Sequence, residues 1–285
     1  MERKNQKRLD PMNDYLAWKT FGEKGCEVQL LSLVNAMAGR KGGGHYQSID
    51  IVENRTFSAP IRGNKTSVLD VRAVCPGRVR ISLEIQNTNK YNIERRSFYY
   101  WGLEYISGIL RGGDYRDLPD VKAFNLLGYL RSESQRDAGP HASFHAYEDR
   151  YREYLLGTMF EMHFIEVPRY RKIAKDLADP LHRWMIYMDR ESPQEMVEEV
   201  MKMDQGILKA QEVMDMVTLD PELLRAYYRE GMALSDEKSM LNGARQEGRQ
   251  EERLEIARNM IQSRFDPELI AGITGLPPDV VRSLG

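Results

Sequence analysis

Two carboxylates and an amide are spaced to meet on one face of a hairpin. The runs Val68-Leu69-Asp70-Val71-Arg72-Ala73 and Ile81-Ser82-Leu83-Glu84-Ile85-Gln86 each alternate, and Pro76-Gly77-Arg78 between them has turn chemistry. With those three residues as the loop, residues pair when their numbers sum to 154. Asp70 then stands opposite Glu84, with Gln86 two residues along on the same face. Like charges directly opposite one another destabilise a sheet. Hard oxygen ligands gathered with an amide suit a compensating divalent cation, Mg²⁺ or a relative such as Mn²⁺ or Ca²⁺. The plainer reading is a strand with one wet face, on which acidic residues are ordinary.

The elements that would position such a pair can be followed along the chain. The stripe Leu30, Leu31, Leu33, Val34 and Met37 predicts a helix from about Glu23 to Ala38, ended by Gly39 and the GRKGGG run. That run lacks the GxxxxGK[ST] spacing of a phosphate loop and has no strand before it, so it is a connector. HYQSIDIVEN and RTFSAPI read as short strands ahead of the hairpin. From about Tyr91 to Arg111 the spacing predicts a helix with Phe98, Trp101, Tyr105 and Ile109 on its apolar face, stopped by Gly112-Gly113. VKAFNLLGYL (121–130) and TMFEMHFIEVP (158–168) read as strands, the first covered on both faces. The fold class is α/β with a mixed sheet, over residues 12–172.

Beyond that the chain becomes helical and charged, as a helical region over 173–240 and a charged helix with a small helical tail over 241–285. Met196, Val200, Met203, Ile207, Ala210, Met214 and Val217 recur at heptad spacing. Gly206 and the many methionines favour packing within the chain over a dimerising coiled coil, which keeps a homo-oligomer through this region as the second choice. The tail, with Asp266-Pro267, Gly275 and Pro277-Pro278 as punctuation, has the outline of a helix-turn-helix DNA reader, but the acidity of this half favours a capping or assembly role.

Across its 285 residues the net charge is −2, yet residues 40–131 hold 15 Lys and Arg against nine Asp and Glu. The hairpin therefore sits in a segment of +6, whereas residues 132–285 carry about −9. A positive surface around a carboxylate-held metal suits a phosphodiester substrate, although an Arg-rich sheet is often only a solvated face. No apolar run reaches bilayer-spanning length and the first residues have no signal-like core. Cys26 and Cys75 lie far apart without CxxC spacing, which speaks against a disulfide framework or a cysteine zinc site and for a reducing cytoplasm.

Arg96 and Tyr100 stand four apart on one helical face, where the arginine could approach a phosphate or simply pair with an acidic neighbour. His141 and His145 have helical i, i+4 spacing but follow Gly139-Pro140 and enclose no HExxH glutamate, so zinc is not expected there. His163 reads as a sheet residue. No Ser-His-Asp or Cys-His set can be assembled.

The pattern LDVRA…SLEIQ, then Arg96-Ser97-Phe98-Tyr99-Tyr100 and Gly112-Gly113-Asp114-Tyr115-Arg116-Asp117-Leu118, with MHFIEVPRY and the tail EGRQEERLEIARNMIQSRFDPELIAGITGLPPDVVRSL, resembles the recombination-promoting nuclease and transposase family of the PD-(D/E)xK superfamily. The resemblance covers nearly the whole chain. It implies a restriction-endonuclease-like core and a metal-dependent DNA endonuclease linked to recombination or mobile-element movement. Asp70 would be the metal-binding aspartate, Glu84 the acid of the ExK motif, and Gln86 the residue at the lysine position, ExQ being a variant of this branch. An amide can hold a water or a phosphate oxygen but supplies no positive charge. The further acidic element from the first helix matches Asp14 or Asn35 best, with Glu23 and Glu27 as rivals. A nuclease fold turned DNA-binding or assembly module is the rival from another class, and a restriction-like defence nuclease differs only in target.

Overall fold

The computed structural model describes residues 8–39, 45–52, 71–89, 91–109, 112–131, 139–151 and 154–285. Among these residues a six-stranded mixed sheet is flanked by helices. Two helices, α1 (Asp14–Phe21) and α2 (Glu27–Ala38), precede β1 (Asp50–Ile51), β2 (Val71–Cys75) and β3 (Val79–Gln86). Then come α3 (Ile93–Ile106), β4 (Asp120–Leu127), β5 (His141–His145) and β6 (Phe160–Glu166). Strands run in the order β1-β2-β3-β4-β6-β5, with β3, β4 and β6 parallel and the other neighbours antiparallel.

The β2–β3 register runs from Val71 opposite Leu83 to Cys75 opposite Val79, every pair summing to 154. Gly77 and Arg78 close the loop at φ +83° and +63°, the left-handed region that glycine enters freely. Asp70 and the RTFSAPI segment lie outside the described residues. The two faces of the sheet differ in kind. Val71, Ala73, Cys75, Ile81, Leu83, Ile85, Phe124, Leu126 and Ile165 join the main core with α1 and α2, while Arg72, Ser82, Glu84, Gln86 and Asn125 are buried on the other face, where α3 lies over β3 and β4.

That polar face overturns the expected orientation of α3. The helix buries Ile93, Ser97, Leu103 and Glu104, while Phe98 stays 56% exposed. Ser97 Oγ donates to Asn125 Oδ1 at 2.6 Å, and Asn125 Nδ2 donates to the His163 carbonyl at 2.9 Å. The Glu104 carboxylate takes the Arg72 guanidinium of β2 and Arg80 Nη1 of β3, the latter at 3.3 Å. Buried donors and acceptors must be paired, and here they draw the polar side of the helix inward.

Two other expectations change. The helix expected from about Glu23 starts only at Glu27, as α2, and a separate helix, α1, precedes it, ended by Gly22, with Gly25, at φ +97°, turning the chain between them. The polar stretch after β4 contains β5, an edge strand whose side chains are mostly solvated.

After α4 (Val167–Tyr170), the helices α5 (Pro180–Met188), α6 (Gln194–Met203) and α7 (Gln205–Leu219) complete the main core with Trp184, Tyr187, Val200, Ile207, Ala210, Met214 and Val217. The heptad seam therefore packs within the chain. It is broken at Asp204, whose Oδ1 accepts from the Gly206 and Ile207 amides at 2.9 and 3.3 Å to cap α7. Gly206 lies so close to α2 that a Cβ there would stand 2.4 Å from Ser32 Cβ.

The charged segment from residue 244 is the end of a 42-residue helix, α8 (Pro221–Gln262). The chain divides into two compact units, Met1–Tyr227 and Tyr228–Gly285. The second holds a small core of Ala257, Ile270, Leu276 and Val281 around α9 (Pro267–Thr274) and α10 (Pro278–Ser283), with Gly275 capping α9 at φ +67°. No helix among the described residues is long and apolar enough to cross a membrane.

Candidate active site

Glu84 is 5% exposed on β3, and its Oε1 accepts from Arg96 Nη2 at 2.6 Å and from Gln86 Nε2 at 2.8 Å. The strand supplies Glu84 and Gln86 two residues apart on one face, and the first turns of α3 bring the arginine over them. Tyr129, just beyond β4, donates its hydroxyl to Gln86 Oε1 at 3.3 Å. The Glu84 carboxylate only accepts, so the amide turns Nε2 toward it and leaves Oε1 for the tyrosine hydroxyl. Burial pushes the Tyr129 phenol up to about 12, so it remains a donor through neutral and alkaline pH. Arg96 Cζ also lies 5.7 Å from the centre of the Tyr100 ring, a cation–π distance.

Glu84, Gln86, Arg96 and Tyr100 thus share one locality. Asn35 does not: it belongs to α2, which covers the apolar face, and its amide is spent on the Tyr46 backbone at 3.0 and 2.8 Å. Asp14 opens α1, whose Leu16, Ala17 and Phe21 pack into that same apolar-face core. Of the rivals, Glu23 pairs with Lys19 at 2.6 Å and Glu27 Oε2 accepts from the Gly25 amide at 2.9 Å. Asp10 is the acidic residue that the sequence reading passed over near the hairpin. Its Oδ2 accepts from Asn87 Nδ2 at 2.8 Å, at the end of β3. Nothing in local spacing foretells a bond across 77 residues.

The histidines form a separate network on the apolar face. His163 Nε2 lies 2.8 Å from Glu161 Oε1, and its Nδ1 lies 2.8 Å from His141 Nε2. The carboxylate only accepts, so neutral His163 carries its proton on Nε2 and His141 donates to Nδ1. Lys122 closes the chain against Glu161 Oε2 at 3.2 Å. Burial, with the neighbouring His163 ring, lowers His141 from 6.5 to about 4.

The sequence pattern of the PD-(D/E)XK nuclease family transposases matches residues 11–244. The chain belongs to that family. No curated protein and no solved structure matches it. The family's divalent-metal chemistry can be set against the donors present. Glu84 and the Gln86 amide offer hard oxygen, the kind a magnesium-class ion takes. Among the described residues no group of three or more His, Cys, Asp or Glu is placed to hold a metal, and Asp70 lies outside them. The cation beside Glu84 is an arginine from α3, while β3 itself supplies Gln86 two residues on.

Proposed function

We propose that this chain is a metal-dependent DNA endonuclease that hydrolyses phosphodiester bonds during recombination or transposition. The observation that carries the reading is the buried Glu84 carboxylate held between Arg96 and Gln86. Desolvation opposes burying a carboxylate unless it is paired, and here the pairing cation and the ExQ amide converge on the acid that the family motif assigns to the reaction. Family membership supplies the reaction class. Held by Asp70 and Glu84, a divalent cation such as Mg²⁺, Mn²⁺ or Ca²⁺ would polarise the phosphate and make water a stronger nucleophile.

The protein's own groups do the rest. Gln86 orients the attacking water and, through Nε2, keeps Glu84 in place. Arg96 provides the positive charge that Gln86 lacks, facing the charge that builds on the phosphate oxygens. Tyr129 holds Gln86. The basic segment around the hairpin attracts the DNA backbone. Two buried cysteines outside any disulfide among the described residues, Cys26 and Cys75, suit a cytoplasmic setting.

Purified full-length chain should nick or cleave DNA with Mg²⁺ or Mn²⁺ and stop in EDTA. Asp70→Ala and Glu84→Ala should each abolish cutting while circular dichroism stays native. Cutting that survives both substitutions overturns the site. DNA binding without cutting under every metal makes the chain a binding module instead.

A further inference from the structure

The flank of α3 that carries Arg96 continues outward as aromatic surface. Arg96 reaches Tyr100, and the Tyr100 ring lies 5.8 Å from the Tyr99 ring at 56°. Tyr99 is 45% exposed. The opposite flank of the helix is occupied: Phe98 stacks on Phe160 of β6 at 5.5 Å, and Trp101 meets Phe160 edge-on at 5.2 Å while donating to the Val121 carbonyl. Among the described residues Tyr99 has Tyr100 as its one ring neighbour. Arg95, four residues before Tyr99 on the same exposed side, is solvent-facing and has no ion-pair partner among the described residues.

We propose that Tyr99 and Tyr100, with Arg95, form a stacking platform for an unpaired base beside the phosphate cut at Glu84. The substrate of this chain is then DNA with unpaired nucleotides, such as single strands, frayed ends or gaps, in preference to intact duplex. This rests on the nuclease reading above. A tyrosine face stacks any base, but only when the base is free of its own duplex stack. The guanidinium of Arg95 meets the backbone, and this exposed cation, next to rings in unbroken contact with the Arg96–Glu84 pair, fits a polyanion on this face better than a second copy of the chain. The contacts run without interruption from Glu84 through Arg96 and Tyr100 to Tyr99, so a strand crossing the acid passes over the platform.

Binding is separated from cutting by working with the full chain in EDTA, using a short single strand carrying 2-aminopurine and the matching duplex. The wild type should bind the single strand at least about 10-fold more tightly than the duplex and quench the 2-aminopurine. Tyr99→Ala should lose about 5- to 100-fold in single-strand affinity, together with the quench, while duplex binding is unchanged. Tyr99→Phe should behave as wild type. Equal affinity for both forms, or a Tyr99→Ala variant that keeps the quench, overturns the platform. So does a sedimentation result in which Tyr99→Ala abolishes self-association, which would give the face to a second copy. Cleavage assays tell the two readings apart. Glu84-dependent cutting without any Tyr99 effect leaves the nuclease and removes the platform; a Tyr99-dependent quench without cutting leaves the platform and removes the nuclease.

Discussion

The Glu84 carboxylate and the Arg96 guanidinium meet at 2.6 Å, one from the third strand and the other from the helix that follows it. The acidic partner that would give Arg96 a purely structural role is the same carboxylate proposed for catalysis. Pairing and catalysis are therefore not alternatives at this position. In the resting protein the arginine neutralises the acid, and in the proposed reaction the same charge would lie beside the phosphate.

If Arg96 stands in for the missing lysine, its loss should be repairable from the strand. Arg96→Ala should lower the single-turnover cleavage rate by about 100-fold or more, in the range for removing one charged transition-state contact, and Arg96→Lys by about 10-fold. Adding Gln86→Lys to Arg96→Ala restores an ExK motif and should recover most of the lost rate. A double variant as slow as Arg96→Ala would show that the arginine does something other than supply charge.

Tyr129 should matter modestly and without a pH signature. Tyr129→Phe removes one long hydrogen bond to the Gln86 amide, so a rate loss of about 3- to 10-fold is expected. With the phenol pushed up to about 12, wild-type cleavage should show no falling limb from tyrosine ionisation near pH 10. A limb there that Tyr129→Phe abolishes would contradict the buried donor.

What could be seen in the sequence depended on whether the signal was local. The hairpin register follows from strict alternation and a three-residue loop, and Val71 opposite Leu83 obeys it. Arg96 and Tyr100 share a face by helical spacing alone. The inward turn of Ser97 and Glu104 could not be seen, because hydrophobic periodicity assumes an apolar surface beneath the helix and β2, β3 and β4 present Arg72, Arg80 and Asn125 instead. Nor could the partner of Gln86, since Tyr129 arrives from 43 residues away. The heptad pattern named the buried residues of α7 but in α6 missed Val197 and included the exposed Met203, and it hid the break, which depends on Asp204 acting as a cap.

Acid should destabilise the first unit through His141. Its folded value of about 4 is below the ordinary 6.5, so the unfolded chain binds the proton more readily. The stability this contributes is fully present above about pH 6.5 and lost as pH falls toward 4, on the order of 2–3 kcal/mol in all. Urea midpoints measured across that range should fall more steeply for the wild type than for His141→Gln. Parallel curves would remove the histidine from the account.

The close crossing of α2 and α7 can be tested at its tightest point. Gly206→Ala places a methyl 2.4 Å from Ser32 Cβ, and the two backbones must separate. The expected loss is about 1–3 kcal/mol, despite the better helix propensity of alanine. Gly206→Ala combined with Ser32→Gly should recover part of it in thermal melts.

The Arg72, Arg80 and Glu104 cluster fastens α3 to the hairpin, so the helix that carries Arg96 is positioned by charge as well as by the apolar packing of Ile93, Leu103 and Trp101. Glu104→Ala leaves Arg72 buried without its carboxylate, which should cost about 3–5 kcal/mol and lower the melting midpoint by about 10 °C. Arg72→Met with Glu104→Leu removes the buried pair and leaves Arg80, a quarter exposed, to turn to solvent, so it should be far milder than the single change, because a buried pair replaced by packed apolar groups is often neutral. Stability alone does not complete the test. If the cluster sets where α3 lies, the double variant should fold well yet cleave more slowly, since Arg96 is no longer held over Glu84. A double variant with wild-type stability and wild-type cleavage would show that Ser97 and Asn125 are enough to place the helix.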